Sequence, residues 1–456
     1  MNIKELREKH DTFRYQQFEI DRSDNELSIA YSFRITPDIE FTPQVTIPID
    51  TELSSEAIAN FAFHIGMIEA VSYWKSTCSP HLVVEAGDLT NRQVSWWHDL
   101  FMHGLGEFYY QNHIDFSNPD FLQIQPSSQA KRYSRSNHPS THGELIMVGG
   151  GKDSTVSLEI LSEKEKRQNV LLLNPTRAAR ETSKIAGFTD PIVVRRTIDK
   201  RLLELNNEGY LNGHTPFSAY LSFLGLFVGA LHDYEYIVAS NESSAGEGNL
   251  MFHNMEVNHQ YSKGYRYEQL FREYAKEFIT TDVSYFSLLR PLSELQIAAL
   301  FAADDKYDKS FCSCNITRNE HFCGNCPKCA FVYLSLGPFL DNGRRISIFG
   351  ETDYFENPTI QKHLIDLVGL GSYKPFDCVG TEEESRFALL LRIDHLERTG
   401  QDVPEFLYQI REKMNLGRHR THKDIIERLK SDWDKNNFLP DAYEKLLRRK
   451  LAELEL

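Results

Sequence analysis

Along residues 1 to about 124, apolar and polar positions alternate in short, aromatic-rich segments. The stretch Glu26-Leu27-Ser28-Ile29-Ala30-Tyr31-Ser32-Phe33 is one of them, and this period-two pattern predicts half-buried strands. Helical spacing follows near Ser55–Tyr73 and again around Trp96–Tyr110. Gln125-Pro126-Ser127-Ser128 through His138-Pro139-Ser140 is polar and turn-rich, and predicts a linker. From Glu144 the rhythm changes to apolar strands separated by helices. Leu145–Val148, Val170–Leu173, Ile192–Arg195 and Tyr236–Ala239 read as strands, and Phe217–Leu231 reads as a buried helix before the last of them. Near-continuous apolar strands of this kind imply a mostly parallel, doubly wound sheet covered on both faces. Further on, Ser293 is placed to cap a helix over Glu294–Ala302. Residues 341–456 become charged and helical, as in Tyr443–Leu456, and read as a solvated helical face.

The expected organisation is therefore an α/β protein in three parts. Residues 1–135 form an aromatic-rich α+β N-terminal domain with a substrate-binding role, 140–340 form a nucleotide-binding domain, and 341–456 form a helical C-terminal region. At 456 residues the chain has ample length for a substantial core. Its net charge of -15 argues against a general nucleic-acid binder, but says little against a nucleotide enzyme, whose cationic groups need only be local. The longest apolar run, Phe217–Leu231, is shorter than a membrane span, and Met1–Glu8 has no apolar signal core. A soluble, cytoplasmic protein without nucleic-acid or membrane partners is expected; its oligomeric state is not legible.

Two motifs carry chemistry. Residues 146–154 read Ile-Met-Val-Gly-Gly-Gly-Lys-Asp-Ser: an apolar strand breaks into Gly149, Gly150 and Gly151, followed by Lys152, Asp153 and Ser154 and the helical stretch Thr155–Leu161. Glycines let main-chain N–H groups crowd around phosphate oxygens, and a helix N-terminus adds partial positive charge. The Gly-x4-Gly-Lys-Ser/Thr spacing of the common P-loop is absent. The second motif is Cys314-x8-Cys323-x2-Cys326-x2-Cys329, a spacing that suits tetrahedral zinc in a segment with little core of its own. Four thiolates close the coordination sphere, so the zinc turn at 314–329 should be structural. Cys312 is a spare that could replace Cys314, and disulfides are the competing reading.

The glycine loop resembles the Ser-Gly-Gly-x-Asp-Ser signature of the PP-loop ATP pyrophosphatases, with Gly149 in place of the first serine. The same superfamily is echoed in Leu288-Leu289-Arg290-Pro291-Leu292, a strand ending in Pro-Leu. Other segments extend the likeness: Ser240–Asn249, Val257–Lys263, Tyr285–Pro291, Cys323–Leu334 and Lys374–Gly380. Taken in order, these resemble the UDP-N-acetylmuramoyl-L-alanyl-L-glutamate epimerase family of bacterial cell-wall synthesis, over roughly residues 140–385. The resemblance implies a doubly wound sheet of the PP-loop type. It also implies ATP-dependent inversion of the terminal L-glutamate of UDP-MurNAc-L-Ala-L-Glu through an acyl adenylate, with release of AMP and pyrophosphate.

On that resemblance Gly149, Gly150, Gly151, Lys152, Asp153 and Ser154 should surround ATP phosphates and Mg2+, with Lys152 also readable as a solvent-facing loop residue. Asn174, Arg177 and Arg180, after the second strand, are candidates to clamp phosphate or substrate carboxylate; for the two arginines a surface ion pair is the alternative. Asn241, Glu242 and Asn249, after the fourth strand, are candidates to line the site. For the two proton transfers the candidates are Cys378, His259 and Lys263. The implied cofactors are ATP, Mg2+ and structural zinc at Cys314, Cys323, Cys326 and Cys329. Rival readings are a deazaguanine nitrile synthase or amide ligase that also adenylates a carboxylate, and a zinc-stabilised nucleotide sensor without turnover. Chain length and the late position of the glycine loop speak against the first. The acidic balance speaks against tRNA-modifying enzymes of the superfamily.

Overall fold

A computed structural model describes residues 2–50, 53–137, 142–162, 166–317, 320–414 and 422–454. In chain order the strands are β1 (Thr12–Arg22), β2 (Glu26–Ile35), β3 (Ile39–Phe41), β4 (Gln44–Pro48), β5 (His81–Val84), β6 (Gln123–Pro126), β7 (Glu144–Met147), β8 (Gln168–Leu173), β9 (Ile192–Thr197), β10 (Tyr236–Ala239), β11 (Leu250–Phe252), β12 (Met255–Val257) and β13 (Ser284–Ser287). The chain divides into two compact units that interleave in sequence. The first comprises Met1–Leu145, Ile192–Ile237 and Leu250–Tyr285; the second comprises Ile146–Pro191, Val238–Asn249 and Phe286–Leu456.

In the first unit the strands run β9-β4-β2-β1-β5-β6, with β3 on β2. The β1–β2, β2–β4 and β4–β9 pairs are antiparallel, while β1–β5 and β5–β6 are parallel. The period-two alternation of β2 does what it implies: Leu27, Ile29, Tyr31, Phe33 and Ile35 are buried and the residues between them are not. Ile192–Thr197, expected among parallel strands, pairs antiparallel with β4 in this unit, Arg195 opposite Thr46. Gln125 and Pro126, expected to open a linker, instead belong to β6, and Ser136 bridges Thr280; His138–Ser140 lie outside the described residues. The helix Ser55–Trp74, capped by Ser54, is apolar all round and correspondingly buried. It packs on the helix Phe217–Leu231 through the stacked Phe61 and Phe227 rings, 4.9 Å apart. The second predicted helix is broken in two, Asn91–Gly104 and Gly106–Gln111.

In the second unit the order is β13-β10-β7-β8. Val148 N–H donates to Leu171 O at 3.2 Å, joining the end of β7 to β8, and Leu288 N–H donates to Ala239 O at 2.8 Å, joining the end of β13 to β10. The helix after the glycines is Lys152–Leu161, three residues longer at its start than expected. Ser293 does cap Glu294–Ala302, in a capping box with Gln296. The C-terminal region is helical, but its helices are not merely solvated. Leu389, Leu391, Ile393 and Leu396 of Glu382–Arg398 and Tyr443, Leu446, Leu447 and Leu451 of Asp441–Ala452 are buried. In Asp441–Ala452 the buried residues repeat at helical spacing and form one face, whereas in Glu382–Arg398 they lie on more than one side. Among the described residues no helix is long and apolar enough to cross a membrane.

Candidate functional site

The glycine loop leaves the carboxyl end of β7 and turns directly into the helix Lys152–Leu161. Gly150 has φ +85°, and a Cβ there would lie 2.3 Å from the Ala179 nitrogen, so only glycine is tolerated. Gly149 is exposed and an added Cβ meets nothing within 4 Å, so a serine would fit where this chain has none. Ser313 Oγ accepts from the Lys152 N–H at 3.0 Å, and the Ser154 hydroxyl donates to Gly151 O at 3.1 Å.

Lys152 is not a solvent-facing residue. Its side chain is 1% exposed and its ammonium lies 2.5 Å from Asp153 Oδ1 and 2.6 Å from Glu294 Oε2. Burial opposes the charge, yet Asp153 and then Glu294 hold the ammonium above its ordinary value. Burial in turn raises the Glu294 carboxyl above the usual carboxylate range, against the pull of Lys152. Asp153, Glu242 and Glu294 each bring a carboxylate oxygen within 4.8 Å of the others. Glu294 Oε1 is buried with no hydrogen-bond partner. A carboxylate triad with an orphaned buried oxygen fits a hard divalent cation.

The surrounding groups fasten this cluster. Glu384 Oε1 accepts from the Glu294 N–H at 2.7 Å, and Glu384 Oε2 accepts from the Thr381 N–H at 2.7 Å. The buried Arg290 donates to Glu242 O. Asn241 Nδ2 donates to Ser287 Oγ at 3.0 Å, whereas Asn249 is spent on the carbonyls of Lys374 and Pro375. Asn174 is exposed in the left-handed region at φ 43°. Arg177 is 44% exposed and pairs with Glu181 and Glu320, the surface-pair alternative. Arg180 is exposed as well.

The four cysteine sulfurs Cys314, Cys323, Cys326 and Cys329 lie within 4.8 Å of one another. The Cys314–Cys326 and Cys323–Cys329 separations are 4.0 and 3.7 Å, close to the roughly 3.8 Å edge of a tetrahedron with zinc–sulfur bonds of about 2.3 Å. All seven cysteines are free thiols, so disulfides do not hold the turn. Main-chain N–H groups of Asn325 and Cys329 donate to Cys323 and Cys326 sulfur, as thiolate ligands require. Cys312 stands outside the set; its N–H donates to Gly150 O at 2.9 Å.

Cys378 is clasped to this turn. Asp377 accepts from the Cys378 N–H at 2.8 Å, the Lys328 N–H at 3.2 Å and Asn315 Nδ2 at 2.5 Å. Lys328 Nζ donates to Cys378 O. Asn315 follows Cys314 and Lys328 lies between Cys326 and Cys329, so the four-cysteine turn and the Cys378 loop share their anchor.

In the first unit His259 belongs to a further constellation, on which Lys263 acts electrostatically. Glu107, on the helix Gly106–Gln111, accepts from His259 Nδ1 with the same oxygen, Oε2, that lies 3.3 Å from His214 Nδ1. The two imidazole rings are 4.5 Å apart. Gln111 Nε2 holds the other Glu107 oxygen at 2.7 Å. Burial, then His259, Lys75 and Lys263, push the His214 imidazole well below its ordinary range. Lys75 donates to Gly213 O and, at 2.7 Å, to Thr215 Oγ1; burial lowers it to about 8.

Sequence reasoning missed Glu294, Glu107, His214 and Asp377 as site residues. Glu294 had a signal, since it directly follows the Ser293 cap of a superfamily-like segment. Glu107 and His214 sit in unremarkable contexts 107 residues apart and only the fold joins them.

Comparison with known proteins places the chain. The MurL N-terminal domain matches residues 4–288, more than half of it, and the MurL C-terminal domain matches residues 309–422. A relative from Xanthomonas oryzae pv. oryzae is 31% identical over 447 residues, covering 92% of this chain and 97% of its own. Relatives from Micromonospora sp. and Salinispora tropica are each 35% identical over 396 residues, 84% of this chain and 86% and 84% of their own. All three are named UDP-N-acetyl-alpha-D-muramoyl-L-alanyl-L-glutamate epimerase. No solved structure matches the chain. The chain belongs to the MurL family.

Proposed function

We propose that this protein inverts the terminal L-glutamate of UDP-MurNAc-L-Ala-L-Glu to D-glutamate, consuming ATP and releasing AMP and pyrophosphate, in peptidoglycan precursor synthesis. What carries the reading is near full-length similarity to proteins named for that epimerisation. The glycine loop with its Asp153–Glu242–Glu294 triad supports the ATP step.

The chemistry explains why ATP is needed. A Cα–H beside a carboxylate is a very weak acid, because its carbanion sets charge beside charge. A carboxylate oxygen of the substrate attacks the α-phosphorus of ATP; the new O–P bond makes an acyl adenylate and pyrophosphate leaves. Deprotonation at Cα then gives an enolate whose charge the adenylate carbonyl accepts. A proton delivered to the opposite face inverts the centre, and water hydrolyses the adenylate to D-glutamate and AMP. Asp153, Glu242 and Glu294 would hold Mg2+, which when bound neutralises charge growing on the departing pyrophosphate. Gly149–Gly151 present main-chain donors, with Lys152 fixing Asp153 and Glu294. Cys378 and His259 are the first candidates for the two proton transfers, with Lys263 next. Zinc at Cys314, Cys323, Cys326 and Cys329 holds the Cys378 loop.

The test is turnover in deuterated water with ATP, Mg2+ and UDP-MurNAc-L-Ala-L-Glu. Product D-glutamate should carry solvent deuterium at Cα, and only when ATP is present. Asp153→Ala should abolish substrate-dependent pyrophosphate release while the protein stays folded. Product of L configuration without deuterium would replace the epimerase with an amide- or nitrile-forming adenylating enzyme.

A further inference from the structure

We propose that Glu107 is the positioning residue of the proton-transfer apparatus: one carboxylate oxygen shared by His259 and His214 fixes both imidazoles with Nδ1 protonated, which puts the basic lone pair of each ring on Nε2. The inference rests on the epimerase reading and adds residues to it that the motifs do not reveal.

The geometry is specific. A carboxylate only accepts, so a ring nitrogen facing it must carry the hydrogen. Both Nδ1 atoms face the same atom, Glu107 Oε2, in direct contact from His259 and at 3.3 Å from His214. Gln111 keeps that oxygen turned toward them by holding Oε1 at 2.7 Å. Glu107 is 6% exposed, which strengthens its field on the rings. The segment that carries His259 is itself pinned. The Gln260 N–H donates to Asn258 Oδ1 at 2.7 Å, and Tyr261 donates to Asp99, which also pairs with Arg266 at 2.7 Å. When the Cα–H bond breaks, its electron pair stays on the substrate as enolate and the proton passes to His259 Nε2. The resulting imidazolium lies against the Glu107 carboxylate, which lowers the cost of forming it. Burial, then His259, Lys75 and Lys263, oppose charge on His214, and His259 is the ring in direct contact with the carboxylate, which makes it the acceptor of the proton.

Two imidazoles and a carboxylate are also a metal-ligand set. The same two ammonium groups act on His214, and Lys75 feels Glu107, so the cluster already has cations and a dication is disfavoured.

The experiment compares wild type with Glu107→Gln and Glu107→Asp. Glu107→Gln keeps the shape but can turn an amide N–H to the rings. It should lower kcat for deuterium incorporation on the order of 100-fold or more with little change in KM, while ATP- and substrate-dependent pyrophosphate release continues and reports an intact fold. Glu107→Asp should recover part of the rate. Nitrogen-15 chemical shifts of His259 and His214 should report Nδ1–H rings in wild type and a shift toward Nε2–H in Glu107→Gln. Unchanged tautomers, or undiminished deuterium incorporation in Glu107→Gln, would overturn the proposal. So would a metal beyond the four-cysteine complement that is lost in His214→Gln. If wild type itself incorporates no deuterium, the epimerase reading fails, and the tautomer shifts still decide the role of Glu107.

Discussion

The two units hold their charged groups in different ways. In the second, a lysine is buried between carboxylates, and the loop bearing Cys378 is tied to a four-cysteine turn. In the first, a carboxylate is shared by two imidazoles and set in an aromatic, hydrogen-bonded core. A lysine between acids keeps its charge across the whole working pH range and can only hold other charges in place. An imidazole held by a carboxylate can take up a proton and give it back. The first arrangement suits fixing phosphates and a metal; the second suits moving a proton. The comparison teaches that holding charge in place and moving a proton call for opposite electrostatics, and that the chain contains both arrangements.

The largest effect should come from the cysteine turn. Cys326→Ser, or a strong chelator, should release about one zinc per chain and unfold at least the turn and the Cys378 loop, since structural zinc binding is coupled to folding. Metal content and thermal melts measure this; the two histidines of the first unit should not lose their Nδ1–H tautomers through loss of the turn's own ligands. Freshly purified protein without zinc would remove the contrast in how the units are fastened.

Next is the buried ion pair. Lys152→Met should destabilise the fold by about 3–5 kcal/mol, because Glu294 is left buried and unpaired. The double variant Lys152→Met with Glu294→Gln should regain most of that stability in denaturant titrations yet stay inactive in pyrophosphate release. A double variant with normal release would show that the cluster is structural only.

The first unit should be the acid-sensitive one. Burial lowers His64 from 6.5 to about 4; its ring is held by Asn60 O at 2.8 Å and by the Tyr274 hydroxyl at 3.1 Å. The depressed value means that the unfolded chain binds the proton more readily. Stability is therefore fully present above pH 6.5 and falls as pH drops toward about 4, by about 3 kcal/mol from this residue. His64→Gln should lessen the fall in stability between pH 6.5 and 4 in denaturant titrations, leaving the contribution of His214 in the same direction. An unaltered slope would show that His64 is not the acid-sensitive group.

The smallest effect belongs to Arg177. An exposed pair with Glu181 and Glu320 predicts that Arg177→Ala changes stability by less than about 0.5 kcal/mol and leaves pyrophosphate release intact. Loss of release at unchanged stability would instead make Arg177 a phosphate clamp.

What the sequence determined by itself was local. The alternation in Glu26–Ile35, the apolar run Phe217–Leu231, the Ser293 cap and the strand Tyr236–Ala239 were all legible, because strand pleat, helix burial and capping depend on residues a few positions apart. The glycine loop and the gathering of the four cysteines were legible for the same reason: a main-chain turn and a cluster of closely spaced side chains are encoded locally. Only the tertiary structure decided what distant segments meet. It withdrew Lys152 from solvent by bringing Glu294 beside it, and it excluded Cys312 in favour of Cys314. It set Ile192–Thr197 antiparallel to Gln44–Pro48, and it closed Glu107 on two histidines more than a hundred residues away. The physical reason is that buried charge is tolerated only beside its partner, and partners distant in sequence leave no periodic trace.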